Sequence, residues 1–255
     1  MIAPSVDQST PGASPDAVPW VDWSSVANYV DRIWDPENNP HHSIISTTGG
    51  GKSYLAINGI LKKACAWDRV LIFDVKRDDK LVSSTGRPVL EVPSTEAFYL
   101  NRQKRRKYDR WFRIPVPFDR EKARNVVYNA LHRVYQEGGW VVYFDELHYV
   151  TSQESKEFLG LRGPVEKLYR LGRNKHISIV AATQSPRYVP PSFYDQASWA
   201  WIGRIRDEQR QKRLLEIGGL SRKELPVVAS LRPRHFLLCA PSEDGEYFAR
   251  TTVTV

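Results

Sequence analysis

The apolar positions of this chain change their period along its length, and those changes mark its elements. Over 20–34, Trp20, Trp23, Val26, Tyr29, Val30, Ile33 and Trp34 recur at three- and four-residue intervals, the spacing of one helical face. Asp22 or Ser24 is placed to cap that helix, and Asp35-Pro36 ends it. Residues 42–46 are a short β-branched stretch that runs into glycines. Helical spacing then resumes over 52–67, with Leu55, Ile57, Ile60, Leu61 and Ala64 facing inward. Residues 69–75, 140–144 and 176–183 are continuous apolar runs, the pattern of strands buried on both faces of a parallel sheet. Further strands are predicted at 89–92, 198–205 and 235–240. Helices are predicted at 117–137 and at 154–172, the second broken or started at Gly163-Pro164. This alternation predicts an α/β fold with a mainly parallel central sheet and helices on both faces.

Composition narrows the picture. A chain of 255 residues suits one sizeable α/β domain with decorated ends. We read 1–19, rich in Pro, Ser, Ala and Asp, as a flexible tail whose ordering would cost more entropy than its burial returns. Residues 20–41 then form a helical extension and 42–255 the domain. Lys and Arg outnumber Asp and Glu by 37 to 29, a net charge of +8 that favours an anionic partner such as nucleic acid. Cys65 and Cys239 sit in apolar surroundings away from any His pair at metal spacing. That argues against a zinc site and for a reducing cytosol. There is no run of about 18 apolar residues and no basic, apolar leader, so the expectation is a cytoplasmic chain without a membrane span.

The segment Thr47-Thr48-Gly49-Gly50-Gly51-Lys52-Ser53 follows a predicted strand and opens a predicted helix, the setting a phosphate-binding loop requires. Glycines let successive N–H groups point into one concavity, and the helix start adds positive potential there. Lys52 is assigned to the β- and γ-phosphates of ATP and Ser53 to Mg²⁺. The pattern departs from G-x-x-x-x-G-K-S at its first position, which is Ser46.

The strand at 140–144 ends in Asp145 and Glu146. Beside the phosphate loop, Asp145 is assigned to the Mg²⁺ shell and Glu146 to the activation of a water. The strand at 176–183 ends in Thr183 and Gln184. Because the carboxyl ends of parallel strands line one crevice, both are expected at the nucleotide, with Gln184 reporting on the γ-phosphate. His132, His148 and His176 have no partner at ligand spacing and read as packing or surface residues. Residues 102–113 pack seven cations among twelve residues, interleaved with aromatics. Such a run is suited to sequence-independent contact with DNA phosphates, with a solvated or subunit-contact face as the competing reading. A second basic segment, 204–213, reads as an amphipathic surface helix.

The pieces STTGGGKS, VVYFDE and RLGRNKHISIVAATQSP together resemble the FtsK and HerA superfamily of DNA-pumping ATPases over roughly 42–205. The third piece is the most specific, with Gly172-Arg173 ahead of a strand ending in Ala182-Thr183-Gln184. Leu71-Ile72-Phe73-Asp74-Val75-Lys76 also resembles the family's second core strand, which commonly ends in Asp-x-Lys. The resemblance implies a RecA-like P-loop NTPase fold, ATP and Mg²⁺ as cofactors, double-stranded DNA as partner and assembly of a homo-oligomeric ring. It also implies an arginine supplied in trans, with Arg173 the first candidate and Arg170 the second. The appendages of chromosome pumps and the anchors of coupling proteins are missing, so the resemblance points to a viral genome-packaging ATPase that docks on a portal or membrane-bound partner. The alternatives are a plasmid or mobile-element transfer motor, a helicase loader, and a nucleotide-dependent scaffold with slow hydrolysis.

Overall fold

The computed structural model describes residues 18–33, 41–62, 69–77, 83, 89–92, 111–216, 220–242 and 245–252. Nine strands form one sheet: β1 (His41–Ile45), β2 (Arg69–Asp74), β3 (Val89–Glu91), β4 (Trp111–Pro115), β5 (Trp140–Phe144), β6 (Ile177–Thr183), β7 (Ala197–Ile202), β8 (His235–Ser242) and β9 (Gly245–Thr252). Their order across the sheet is β3-β4-β2-β5-β6-β1-β7-β8-β9. The first seven in that order pair in parallel, and β8 and β9 add an antiparallel edge.

The sheet is covered on both faces, and its central strands β1, β2, β5 and β6 are buried at every position but Arg69. Leu71, Phe73, Val142, Phe144, Ile177 and Ile179 point to one side, into a core shared with α3 (Arg120–Glu137), α4 (Leu147–Thr151) and α5 (Arg162–Leu171). Val70, Ile72, Val141, Tyr143 and Val180 point to the other side. There they meet α1 (Trp23–Ile33) and α2, which starts at Lys52–Tyr54 and continues over Leu55–Leu61 with wider, π-type turns. Val26 and Val30 of α1 are buried in this second core with Ile57 and Ile60 of α2. Ahead of α1, Pro19 accepts from the Arg250 N–H at 2.8 Å and Val21 donates to the Arg250 carbonyl at 2.8 Å, joining this segment to β9.

Several expectations are corrected. The basic run does not end as an exposed patch: Trp111, Phe112 and Arg113 begin β4, buried between β2 and β3. Residues 102–110, like Cys65, lie outside the described residues. The helix expected at 154–172 begins only at Arg162, because 152–161 is a loop that bonds back to α4 through Leu159 N–H to Tyr149 O, 2.9 Å, and Leu161 N–H to Val150 O, 2.8 Å. The helix expected at 204–213 is displaced to α7 (Glu208–Glu216), after α6 (Pro191–Asp195) and before α8 (Leu225–Ser230). The expected strand at 198–205 runs Ala197–Ile202, and β9 had no separate signal because Glu246 and Arg250 leave it an apolar run of only three residues. Among the described residues, no helix is long and apolar enough to cross a membrane.

Candidate active site

The carboxyl ends of β1, β5 and β6 converge because the three strands are neighbours and run the same way. The loop after β1 is pinned at its base by Ser46 N–H to Thr183 O, 3.3 Å, and by Gly203 N–H to Ile45 O, 2.8 Å. It then turns tightly, with Gly50 N–H bonded to Thr47 O at 3.1 Å. Gly49 and Gly51 hold φ of 74° and 94°, left-handed values that a side chain resists. The tip is tied down from two sides: Thr47 Oγ1 donates to Arg204 O at 3.4 Å, and Thr48 Oγ1 donates to Gln184 Oε1.

Ser46 explains its own departure from the expected glycine. A Cβ on Gly50 would stand 2.1 Å from Ser46 Oγ, and one on Gly203 would stand 2.3 Å from it. Two glycines elsewhere therefore make the room that the loop's first position takes up.

Lys52 is 5% exposed and points back into the loop, donating to Ser46 O at 2.9 Å and Thr47 O at 3.1 Å. Burial pulls its ammonium down from 10.5 to about 8, against the opposing attraction of Glu146 and Asp145. Ser53, one residue on, donates to Asp145 Oδ1 at 2.9 Å, and the Tyr143 hydroxyl donates to the same oxygen at 3.0 Å. Burial and the Asp145 charge push the Tyr143 hydroxyl well above its ordinary value, so it stays protonated as a donor. Asp145 and Glu146 are buried, and a single cation bridges them: Lys76 Nζ lies 3.3 Å from Asp145 Oδ2 and 3.0 Å from Glu146 Oε1.

Glu146 is held on its other oxygen as well. His148 Nδ1 lies 3.1 Å from Oε2, and the Gln184 N–H donates to that oxygen at 3.3 Å. Burial alone would raise the Glu146 carboxyl, but the His148 bond, Lys76 and then Lys52 outweigh it and leave the group below its ordinary value. The carboxylate is thus ionised at neutral pH, the state a proton acceptor needs.

The residues fit Mg-ATP on three counts. Among the described residues, the N–H groups of Gly49 and Gly51 donate to no backbone acceptor, leaving backbone donors of the kind that phosphate takes. Ser53 and Asp145 offer hard oxygen donors side by side. The carboxylate pair already attracts a cation.

Thr47, Thr48, Gly49, Gly50, Gly51, Lys52, Ser53, Asp145, Glu146 and Gln184 are therefore gathered in one place. Arg173 is not: it is exposed, in the turn ahead of β6, seven strand residues from Thr183, a separation of about 20 Å at 3.3 Å per residue. Arg170 is 62% exposed at its side chain and pairs with Glu166 at 3.4 Å on α5. His148 corrects the reading of it as a packing or surface residue, since the first turn of α4 carries it back to Glu146. His132 is exposed and stacks on Tyr128 at 6.4 Å, and His176 is exposed in a left-handed turn. Lys76 entered the sequence reading only as the end of a strand pattern. Its position at the carboxyl end of the strand next to β5 is the signal that marks it as a site residue.

No family model matches the chain, and no curated protein does. Solved structures do. The genome packaging NTPase B204 from Sulfolobus turreted icosahedral virus 2, in complex with AMPPCP, is 14% identical with a TM-score of 0.63, over 86% of this chain and 100% of that one. VirB4 of Thermoanaerobacter pseudethanolicus is 10% identical with a TM-score of 0.62, over 89% and 92%. The pCW3 conjugation coupling protein TcpA, with ATPγS, is 16% identical with a TM-score of 0.51, over 85% and 60%. This chain shares the fold of these solved structures, the mainly parallel α/β fold of a P-loop NTPase that its three motifs implied.

Proposed function

We propose that this chain is a Mg²⁺-dependent ATPase that couples hydrolysis to the movement of double-stranded DNA, as the ring-forming motor of viral genome packaging. The observation that carries the reading is the Ser53–Asp145 bond of 2.9 Å beside a doubly anchored Glu146. That geometry supports reading the phosphate loop, the metal donors and the base as one site.

In this reading the glycine loop and Lys52 bind the β- and γ-phosphates, with Lys52 leaving the Ser46 and Thr47 carbonyls to do so. Ser53 and Asp145 hold Mg²⁺, which when bound neutralises charge developing on the phosphates. Lys76, 42% exposed at its side chain, gives up its place between the carboxylates. Glu146 accepts a proton from the attacking water. Gln184 trades its Thr48 contact for the γ-phosphate and carries the presence of that group to β6.

Arg173 lies too far from its own site to serve it, and its exposure leaves it free to reach a neighbour's. We therefore assign it as the trans arginine of a ring, ahead of Arg170, which is engaged with Glu166. Work in the host cytoplasm, with docking on a portal or membrane-bound partner, completes the reading.

The fold shared with the conjugation coupling protein TcpA favours a second reading, a plasmid or mobile-element transfer ATPase. The test is an ATPase assay with and without long duplex DNA, run beside Lys52→Ala and Arg173→Ala. Duplex should stimulate turnover more than single strands; the reverse order supports the transfer motor. Mixed Lys52→Ala and Arg173→Ala subunits should recover activity that neither has alone. Wild-type protein that binds no ATP ends the proposal, and unchanged function in Glu146→Gln turns it toward a nucleotide-dependent scaffold.

A further inference from the structure

The reading of Glu146 as base leaves a question of orientation. A carboxylate turns easily about its last torsion, and a base works only when one oxygen faces the water within hydrogen-bond reach. Its two oxygens are held differently here. Oε1 meets Lys76, an exposed, flexible cation, whereas Oε2 meets His148 Nδ1 at 3.1 Å and the Gln184 N–H at 3.3 Å. The imidazole is itself held from three directions. The Phe158 ring meets it edge-on at 5.6 Å, the Tyr188 ring lies at 6.3 Å, and Thr183 Oγ1 lies 3.4 Å from Nδ1. Phe158 belongs to the 152–161 loop, and its carbonyl is bonded by Arg120 Nε of α3 at 2.8 Å. Elements from both sides of the loop thus converge to fix one ring against one carboxylate oxygen.

We propose that His148 is a positioning residue that locks Oε2 of Glu146 and thereby presents Oε1 to the attacking water. The inference rests on the assignment of Glu146 as base. Lys76 withdraws from Oε1 when nucleotide binds, and His148 keeps the carboxylate from turning after it.

The experiment compares wild type, Glu146→Gln, His148→Ala, His148→Met, His148→Asn and the Glu146→Gln/His148→Ala double variant, by steady-state ATPase and by binding of a fluorescent non-hydrolysable ATP analogue. Met fills the space between the rings without a donor, and Asn restores an N–H near the place of Nδ1. His148→Ala and His148→Met should lower kcat about 10- to 100-fold, as small misplacements of a base do. KM and analogue affinity should stay within about twofold. Asn should recover most of the rate, and His148→Ala should add nothing once Glu146 is Gln.

Wild-type turnover in His148→Met would overturn the proposal. A loss carried by KM, no recovery with Asn, an additive loss in the double variant, or unfolding of both Ala and Met variants would each assign His148 to packing and overturn it too. Wild-type turnover in Glu146→Gln would instead strike the underlying assignment of the base.

Discussion

Ser53 Oγ donates to Asp145 Oδ1 across 2.9 Å although 92 positions separate the two residues. That bond joins the start of α2 to the end of β5. Its partner Tyr143 is fully buried, so Asp145 cannot swing away without stranding a hydroxyl.

Asp145→Asn should therefore keep the fold and lose the chemistry. Turnover should fall about 100-fold or more, because the neutral amide is a poor ligand for a hard cation and stabilisation of charge on the phosphates is lost with it. The check is ATPase rate against Mg²⁺ concentration, with the thermal midpoint as control. A variant with wild-type turnover would remove Asp145 from the site.

Lys52 gives a pH signature in the nucleotide-free protein. Its ammonium titrates at about 8 when folded and at the ordinary 10.5 when unfolded. The unfolded chain thus binds more protons between those values, and stability rises with pH in that window. Relative to Lys52→Met, the wild type should gain up to about 3 kcal/mol on going from pH 7.5 to 10.5. Denaturant unfolding of both proteins at the two values measures the difference, in which the other titrating groups cancel. A difference independent of pH would mean that Lys52 titrates normally.

Gly203 is predicted to tolerate no side chain while Ser46 is present. A Cβ there would lie 2.3 Å from Ser46 Oγ and 2.6 Å from Ser46 Cβ. Gly203→Ala should cost about 1–3 kcal/mol as an overpacked site. Ser46→Gly should relieve most of that cost, a coupling that a double-mutant cycle of thermal or denaturant unfolding detects. Additive effects would show that the two residues do not compete for one space.

Arg113 makes two bonds to Asp74 Oδ2, from Nε at 2.9 Å and Nη2 at 2.7 Å, where the aspartate is fully buried. Arg113→Met leaves that carboxylate without its buried partner and should cost about 3–5 kcal/mol. Replacing Asp74 by Leu in the same chain should return much of the loss, since Ile72 and Trp111, two positions away on the same face of the sheet, are already buried in the apolar core there. Chemical denaturation of the single and double variants decides it. A loss below about 1 kcal/mol would mean that the pair behaves as a solvated surface one.

Much of the core was legible because its signals are local. The run Trp140–Phe144 is apolar at every position, which only a strand covered on both faces sustains, and its bounds match β5. Gly49, Gly51, Lys52 and Ser53 encode their loop because left-handed backbone and a following helix are consequences of residue type within a few positions. β4 was not legible: seven cations in 102–113 mask a strand whose apolar residues are buried between β2 and β3 and whose one arginine is buried against Asp74 on the neighbouring strand.

By itself, the amino-acid order determined the period of each element, the glycine loop and the chemical types at the strand ends, since each depends on short-range sterics and patterning. Tertiary structure alone decided which charges meet. Lys76 faces Asp145 and Glu146 because β2 happens to lie beside β5. His148 meets Glu146 because one turn of α4 folds it back under Phe158 and Tyr188. Ser46 replaces a glycine because Gly203, 157 positions on, leaves it room. Contacts of that kind depend on strand order and close packing across the whole sheet, and no window of neighbouring residues contains them.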